Sequence, residues 1–524
     1  MDASGEDPPF SLAWLRSLRK EFGPNLLMVL FSVQHLIKGF VANLSGRATP
    51  YLFKSFHVPA QEVQIWKTCI FSPYILKPIF GLISDLLPIW GFHKGPYLFV
   101  ASSGGVAAAL ALGLGINTAS LAFLVVSLFL VELCICIGDL LTEALYARQM
   151  QDHPRLGQSL LTYVFAGMSA WSLLGNLSSG FMLSYLGAHG TFLALAPAIA
   201  PAVLTSAAVP EEAQSAEAVR AKRLAFWHQK EACALAFLLL SVSLLMSLTA
   251  ITTKDPAVNA LMALLAASLV IGSFSMVLSP VIAKFSVFTL VQTSLHLSVS
   301  APAFYFLTDD EEEFPQGPHF SPLFYNSCLG CIGGMMTLVG LYSYNRFASM
   351  ISYRRMIVAS NLAFSLLHLT DMVLFSRLNV KLGIPDVFFA FGNQSLGVII
   401  YQWLWMPQVA LFSQLCPKDM EATMFALVVS CHNLGVAVAS ATGAWLLAML
   451  KCNPRGRPDE SKEFQMLWLA SGISSMLPLF SIFALFWLIP NVRPAEPIEL
   501  RGDGTAGSLW NQWRSHHSEL LEAC

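Results

Sequence analysis

Residues 74–94 read YILKPIFGLISDLLPIWGFHK, a stretch as apolar as a bilayer interior that nevertheless contains Lys77 and Asp85 and ends in His93 and Lys94. An ionisable side chain within a membrane helix costs at least ~2.5–3.5 kcal/mol, so it normally faces a partner or a water-filled cavity. A proline directly follows the lysine and removes a main-chain hydrogen bond from the helix. The stretch therefore predicts a broken membrane helix that borders a polar passage.

The composition of the whole chain agrees with this prediction. Of its 524 residues, 55% are hydrophobic and 12% are charged, which is about half the charge of an ordinary soluble protein. Apolar stretches long enough to cross ~30 Å of hydrocarbon recur along its length. About fourteen spans are predicted, at 24–44, 61–87, 96–117, 119–147, 158–185, 190–209, 231–251, 258–282, 285–307, 321–343, 354–376, 386–415, 420–450 and 464–489. We expect an all-α polytopic membrane protein.

An even number of spans places both termini on the same side of the membrane. Lys and Arg are about twice as frequent in the loops and tails on that side, which predicts that both termini are cytoplasmic. The expected location is the plasma membrane, with an organellar membrane as the alternative.

Several classes of protein are disfavoured. The net charge of −2 is uninformative about nucleic-acid binding, but the lack of a basic, aromatic-rich patch argues against it. The ten cysteines are scattered, mostly inside apolar segments, and are interpreted as small core residues, so neither a metal nor a cofactor is expected. No catalytic motif such as HExxH or a nucleophile elbow occurs, so we do not expect an enzyme. A channel lacks the ring of repeated polar residues that forms a filter. A non-transporting receptor or scaffold remains an alternative, although it would not need charges in mid-membrane.

Two loops repeat at corresponding places in the chain. Residues 81–98 (GLISDLLPIWGFHKGPYL) and 340–357 (GLYSYNRFASMISYRRMI) both open with Gly-Leu, turn, and close on a basic pair. Two six-helix halves with a substrate site between them are a common design of secondary transporters. We expect a cytoplasmic segment at 1–23, an N-terminal half at 24–209, a cytoplasmic linker at 210–230, an inserted helix pair at 231–284, a C-terminal half at 285–489 and a cytoplasmic tail at 490–524.

The first of these loops resembles the hallmark loop of the major facilitator superfamily. Gly81, Asp85 and Lys94 match that pattern, and the resemblance implies that the aspartate clamps the outward-open state by accepting from a neighbouring helix end or basic group. The second loop has Tyr344 where the acid would stand. Glu421, near an inner helix end, is a further candidate for this conformational gate. The alternative for Asp85 is a helix-end residue that simply reaches cytoplasmic water.

The fourth span, SLAFLVVSLFLVELCICIGDLLTEALYARQM (120–150), is the richest of the spans in ionisable residues. At 100° per residue, Glu132, Asp139 and Glu143 lie within about 20° of one line. A row of three acids cannot face lipid, so it must line water, meet cations or be partly protonated. Arg148 falls on the opposite face and either adds to the site or reaches lipid headgroups.

Two lysines are the candidate partners of these acids or of a substrate. Lys77 is too deep to reach the surface easily, and Lys38 is also well inside its helix, whereas Lys67 is close enough to the surface to extend to it. The second half has little charge. Its buried His296 and His432 are more typical of helix packing than of a proton relay. We therefore expect ion coupling in the first half and substrate contacts from both.

Several longer strings resemble the folate–biopterin transporter family, over roughly residues 30 to 450. KPIFGLISD (77–85) and MPQVALFSQLCPKDMEATMFALV (406–428), which continues into Asn433-Leu434-Gly435, resemble two of its sequence elements, and APAFYFLT (301–308) adds to the match. GDLLTEALYA (138–147) resembles the fourth-helix motif of its protozoan branch. The resemblance implies a major-facilitator-like fold and transport of folates, of pterins such as biopterin, or of S-adenosylmethionine, with a proton as the coupling ion.

Substrate chemistry fits the same residues. A pterin ring presents two parallel donors that a carboxylate such as Asp139 or Glu143 can accept, and the glutamate tail of folate needs a cation such as Lys38 or Lys77. S-adenosylmethionine, a cation with a carboxylate, would suit them too. Asn433 is a further substrate-binding candidate. The twelfth span begins FGNQSLG, where the family resemblance leads us to expect an acid. Asn393 or Gln394 at that place puts a proton site in the second half in doubt and could shift substrate preference.

Overall fold

The computed structural model describes residues 11–116, 120–153, 156–215, 217, 219–220, 223–224, 230–347, 350–414, 421–493 and 505–513. Nearly all of the regular structure in these residues is helical, with a single isolated antiparallel bridge between Ile89 and Phe92. Eleven helices in the described residues are long and apolar enough to cross a membrane. The expected all-α polytopic architecture is confirmed.

The count of eleven differs from fourteen for local reasons. The predicted spans 61–87 and 285–307 are each interrupted, so neither is one long helix. The predicted spans 158–185 and 190–209 both lie in the continuous range Gly157–Ala208, which bends at Gly187, where φ is +68°. Fourteen spans therefore remain a prediction.

Helices α1 to α9 precede the linker. They are α1 (Leu12–Leu30), which continues through a π-helical segment (Phe31–Val41) into α2 (Ala42–Ser55), then α3 (Ala60–Ile70), α4 (Ser72–Ile75), α5 (Lys77–Leu86), α6 (Gly95–Gly113), α7 (Leu121–Asp152), α8 (Gly157–Leu193) and α9 (Leu195–Thr205).

Helices α10 to α21 follow it. They are α10 (Lys230–Thr252), α11 (Pro256–Val277), α12 (Pro280–Leu295), α13 (Ser300–Thr308), α14 (Leu329–Phe347, after a π-helical turn Leu323–Cys328), α15 (Tyr353–Phe375), α16 (Leu378–Lys381), α17 (Asp386–Gly392), α18 (Val398–Gln414, after a π-helical turn Asn393–Gly397), α19 (Glu421–Met449), α20 (Leu467–Met476) and α21 (Ser481–Leu488).

The chain divides into two compact units. Unit 1 comprises the described residues within Met1–Thr49 and Phe80–Ala225, and unit 2 those within Pro50–Ile79 and Phe226–Cys524. In unit 1, glycines let helices approach the π-helical segment closely. A methyl group added at Gly138 of α7 would lie 2.9 Å from Val33 Cγ1, and one added at Gly167 of α8 would collide with the His35 ring.

In unit 2, α19 presents small residues to α12 and to the irregular segment that follows it. A methyl group at Gly435 would lie 2.7 Å from Thr293 Cβ, and one at Gly443 would collide with the main chain of Ser298. Small residues four apart or a multiple of it allow close approach of membrane helices. Because Gly443 has no side chain, the main chain of the irregular segment after α12 can pack closely against α19.

Candidate functional site

The predicted acids of α7 meet a lysine in unit 1. Lys38, in the π-helical segment, forms an ion pair with Asp139, and its Nζ lies 3.4 Å from Glu143 Oε1. Asp139 is 5% exposed, and the Glu143 side chain is partly exposed. The pairing places a positive charge between two negative ones inside the membrane, where neither sign is stable alone.

An amide side chain holds one of these acids in place. Gln34 Nε2 lies 3.3 Å from Asp139 Oδ1 and 2.7 Å from Thr142 Oγ1. The threonine hydroxyl in turn donates to the Gly138 carbonyl at 2.7 Å. Gln34 and Lys38 belong to the π-helical segment, and such segments are frequently found at functional sites. We refer to Gln34, Lys38, Asp139, Thr142 and Glu143 as the acid–lysine cluster.

Three more of the predicted site residues lie on α7 or α5. Glu132 is buried on α7, seven residues before Asp139, which is about 10 Å along the helix. Arg148 has a 77% exposed side chain, and its Nε lies 3.9 Å from Asp152 Oδ2. Lys77 begins α5 and is half-buried, within unit 2.

Asn433 repairs the break that Pro78 makes. Proline has no N–H, so the Tyr74 carbonyl, four residues earlier, loses its usual helical partner. Asn433 Nδ2 donates to that carbonyl at 2.9 Å. The predicted substrate-binding candidate Asn433 thus bonds to the broken helix in this structure, and a main-chain group that the bilayer cannot hydrate is satisfied.

A second break, between α12 and α13, spans the residues from His296 to Val299. The Ser298 N–H donates to the Ala439 carbonyl at 3.0 Å, and Gln64 Nε2 donates to the Ser298 carbonyl at 3.0 Å. Irregular main chain at membrane depth is tolerated where it is buried in protein or lines a cavity. The second condition holds here, because His296 and Ser298 line a cavity.

A cavity of about 310 Å³ opens beside this break in unit 2. Its aromatic wall includes Phe364, Tyr401 and Trp405. Its polar lining includes Gln292, Thr293, His296, Ser298, Gln408, His432 and Ser440. The exposed surface of the cavity is mostly apolar, although several polar side chains contribute to its lining. This combination is typical of a small-molecule site.

Three side chains of this lining carry unpaired atoms. Among the described residues, neither amide atom of Gln292 has a hydrogen-bond partner, although the residue is only 1% exposed. Oε1 of Gln408 and Nε2 of His296 also lack partners among those residues. Neither glutamine is among the site residues predicted from the sequence. A lone amide in an apolar helix could have indicated Gln292, whereas Gln408 shares its helix with Gln402 and Gln414.

The two histidines, expected to be packing residues, both line the cavity. His432 Nδ1 lies 3.0 Å from Thr293 Oγ1, and its ring packs against Trp405 with centroids 4.3 Å apart. The His296 ring packs edge to face against Phe364, with centroids 4.7 Å apart. Each histidine ring therefore packs against an aromatic side chain and also lines the cavity.

Asn393, where an acid was anticipated, bonds to an acid from another helix. Its Nδ2 donates to Asp371, whose other oxygen lies 2.9 Å from His368 Nδ1. A carboxylate is therefore present in this part of unit 2, on α15 rather than on α18. Glu421 begins α19, and its side chain lies outside the described residues.

The predicted gate loop is bonded to the linker in unit 1. One carboxylate, that of Glu211, accepts from the main-chain N–H groups of His93 at 3.0 Å, Lys94 at 3.0 Å and Gly95 at 2.6 Å. An acid at this position stabilises the start of α6 by pairing its free N–H groups. The linker residue Arg223 also donates to the Leu86 carbonyl at 3.0 Å. Gly81 and Asp85 lie on α5, the acid half-buried.

The repeated loop in unit 2 uses a similar contact at a helix end. Arg354 Nε donates to the Ile489 carbonyl at 2.6 Å, just beyond α21. Tyr344, at the position of the missing acid, is buried and lies edge to face with Trp403. An aromatic contact thus occupies the position that corresponds to Asp85.

A second ion-pair cluster lies at the end of α13 in unit 2. Lys54 Nζ lies 2.9 Å from Asp309 Oδ1 and 2.6 Å from Glu313 Oε2. Burial raises the pKa of Asp309 to about 7, against the opposing effect of Lys54 and with a further increase from Glu313 and Glu460. In the same region, the Tyr305 hydroxyl donates a hydrogen bond to the Val58 carbonyl at 2.8 Å.

Comparison with known proteins places this geometry in context. The chain matches the BT1 family over residues 38–506. It is 26% identical over 484 residues to "Probable folate-biopterin transporter 2" of Arabidopsis thaliana, covering 91% of this chain and 85% of that protein. It is 25% identical to "Folate-biopterin transporter" of Synechocystis sp., covering 78% and 71%. It is 22% identical to "Folate transporter 2" of Plasmodium falciparum, covering 88% and 87%.

Solved structures show the fold. The crystal structure of a D-xylose-proton symporter superposes with a TM-score of 0.56 at 14% identity, covering 93% of this chain and 100% of that one. A POT family transporter in complex with 5-aminolevulinic acid superposes with a TM-score of 0.59 at 15% identity, covering 88% and 97%. Identities this low establish the fold alone, and the major-facilitator fold that the loop resemblance implies is confirmed.

Proposed function

The chain belongs to the BT1 family, a family of membrane transporters rather than of enzymes, and from this membership we propose that it imports folate or a pterin such as biopterin. Transport is secondary active and proceeds by alternating access. We further propose the fourteen-span arrangement, with two six-helix halves, α10 and α11 as the inserted pair, both termini in the cytoplasm, and the plasma membrane as the location.

The acid–lysine cluster is the observation that supports an ion-coupled transporter. A receptor or scaffold has no need of Lys38 between Asp139 and Glu143 inside a membrane helix bundle, because such a pair is costly to bury. A transporter needs a group that exchanges one charge partner for another during its cycle.

Protonation supplies that exchange. When Asp139 binds a proton, its attraction for Lys38 falls, and the ammonium group is released to pair with a carboxylate of the substrate's glutamate tail. When the substrate leaves, the lysine returns to the acid and the proton is lost. One proton then moves with each anionic solute, in the same direction, which makes the transporter a symporter.

The remaining candidates have supporting roles in this proposal. Glu132 extends the acidic row of α7 and receives protons, and Arg148 attracts anionic solute to the end of the helix. Lys77 pairs with a substrate carboxylate. Gly81, Asp85, Lys94 and Glu421 belong to the gate, while Asn433 and Asn393 preserve the geometry of unit 2.

Tracer uptake by the purified protein in proteoliposomes tests the function. With an acidic exterior, labelled folic acid should accumulate above its external concentration, and a protonophore should abolish the accumulation. Unlabelled biopterin should compete more strongly than S-adenosylmethionine. Preferential competition by S-adenosylmethionine would assign the other solute class, and the absence of any flux would indicate a receptor or scaffold.

A further inference from the structure

The cavity of unit 2 contains unpaired hydrogen-bonding groups in a place where they are costly. Gln292 is 1% exposed and Gln408 is 3% exposed, so neither can turn to bulk water. Both amide atoms of Gln292, Oε1 of Gln408 and Nε2 of His296 lack partners among the described residues, and all three side chains line the cavity. Buried polar groups are nearly always paired, so these atoms point to a ligand.

We propose that this cavity binds the bicyclic ring of the pterin, with Gln292 reading the edge of the ring; the inference rests on the proposed function and adds where the ring binds. The pterin edge presents a carbonyl oxygen, then a ring N–H, then a 2-amino group. An amide side chain complements a cyclic amide: Gln292 Nε2 donates to the carbonyl and its Oε1 accepts from the ring N–H.

The second glutamine matches the next group along the edge. Gln408 Nε2 already donates to the Leu404 carbonyl at 3.1 Å, which leaves its Oε1 as the acceptor for the 2-amino group. A pterin thus offers a separate donor group to each amide oxygen. Adenine also pairs with a glutamine amide, but it has one amino group for both oxygens and no ring N–H beside it. The arrangement favours the pterin.

Size and shape agree with a ring rather than a whole folate. About 310 Å³ is at the lower end of the range of small-molecule sites. The aromatic faces of Trp405 and Phe364 line the same cavity as the amides, and flat heterocycles stack on such faces. The carboxylates of folate find no cation among the lining residues, so the cavity selects the ring.

Equilibrium binding to the purified full chain in detergent tests this assignment. Labelled folic acid is displaced by biopterin or by S-adenosylmethionine, for the wild type and for Gln292→Met, Gln408→Met and Ser286→Ala. Ser286 lies on the same helix, is 1% exposed and has an unpaired hydroxyl, but it does not line the cavity. We expect Gln292→Met to weaken biopterin binding about tenfold or more, and Ser286→Ala to leave it unchanged.

The thermal midpoint without ligand separates a binding role from a structural one. Replacing an unpaired buried amide by an apolar side chain of similar shape is neutral or stabilising, so Gln292→Met should melt at or above the wild-type temperature. A glutamine that holds the fold together would instead lower the midpoint. If Gln292→Met does not fold, the inference is wrong for that residue, and Gln408→Met then tests whether the cavity binds the ring.

The outcomes distinguish this inference from the proposed function. Biopterin binding by the wild type and by Ser286→Ala, together with its loss in Gln292→Met, supports both the ring site and the proposed function. Equal binding by wild type and both glutamine variants overturns the ring site and leaves the function standing. Preference for S-adenosylmethionine over biopterin, or no binding even of labelled folic acid, overturns both, whereas binding of folic acid without displacement by biopterin overturns the ring site alone.

Discussion

The side-chain amide of Asn433 donates to the main-chain carbonyl of Tyr74 at 2.9 Å, across 359 residues of sequence. Pro78 leaves that carbonyl without its usual helical donor, so a residue near the end of the chain completes a helix near its beginning. The contact explains how the stretch at residues 74–94 can break inside a membrane.

Removing this amide should destabilise the protein. Asn433→Leu removes this donor from the Tyr74 carbonyl, which we expect to cost about 1–3 kcal/mol and to lower the thermal midpoint in detergent. Pro78→Ala restores an N–H four residues after Tyr74, so Asn433→Leu should cost less in that background. An equal cost in both backgrounds would contradict the proposed pairing.

Neutralising the central acid of α7 should uncouple transport. Asp139→Asn cannot bind and release a proton, so accumulation of folate driven by a pH gradient should be lost while the protein still reaches the membrane. Asp152→Asn, on the exposed end of the same helix, is the matched control and should transport normally. Uphill accumulation by Asp139→Asn equal to that of the control would reject the coupling role.

Removing the lysine should affect stability as well as transport. Lys38→Met leaves Asp139 buried without its cation, which typically costs about 3–5 kcal/mol. The double variant Lys38→Met/Asp139→Asn should recover most of that stability without recovering transport. Thermal midpoints of the four proteins form a double-mutant cycle, and strictly additive effects would show that the pair does not interact.

Loss of the deep lysine should discriminate between solutes. Lys77→Ala removes a cation that we propose pairs with a carboxylate, so the KM for folate should rise severalfold while that for biopterin, which has no carboxylate, should change little. Lys284→Ala, exposed in the same unit, serves as the control. Unchanged kinetics for both solutes would remove Lys77 from the site.

The ion-pair cluster at the end of α13 should respond to pH. Burial raises the pKa of Asp309 to about 7, so the folded state binds its proton more tightly than the unfolded state does, where the pKa is about 4. The stabilisation from this proton is complete below pH about 4 and is lost as the pH rises to about 7.

Thermal midpoints measured between pH 4.5 and 7.5 check this expectation. Asp309→Asn should remove the part of the pH dependence that this carboxyl causes, whereas Asp310→Asn, its exposed neighbour, should keep it. Identical pH profiles for Asp309→Asn and the wild type would show that Lys54 compensates fully for the burial.

Part of the site follows from the helical period alone. A repeat of 3.6 residues places Asp139 and Glu143 on one side of α7 wherever that helix packs. The sequence therefore predicted two acids side by side, with Lys38 and Lys77 as their candidate partners. It did not show that Lys38 would contact both acids, because that contact depends on a π-helical segment whose main-chain bonding is not a local propensity.

Other contacts had no signal in the local pattern. Glu211 is one acid in a mixed-charge linker, and only its position in the fold makes it the cap of α6. Gln292 is the one amide of α12 and Gln408 is one of three glutamines on α18, and their meeting at one cavity depends on how α12 and α18 pack.

The amino-acid sequence alone determined that this is a helical membrane transporter of a recognisable family, because the length of an apolar run and the order of a motif are properties of neighbouring residues. Only the tertiary structure determined which side chain bonds to the main chain at each helix break and which lysine pairs with which acid. It also determined where hydrogen-bonding groups without partners among the described residues line a cavity. These depend on atoms hundreds of residues apart, whose approach is set by packing and by the absence of water within the bilayer.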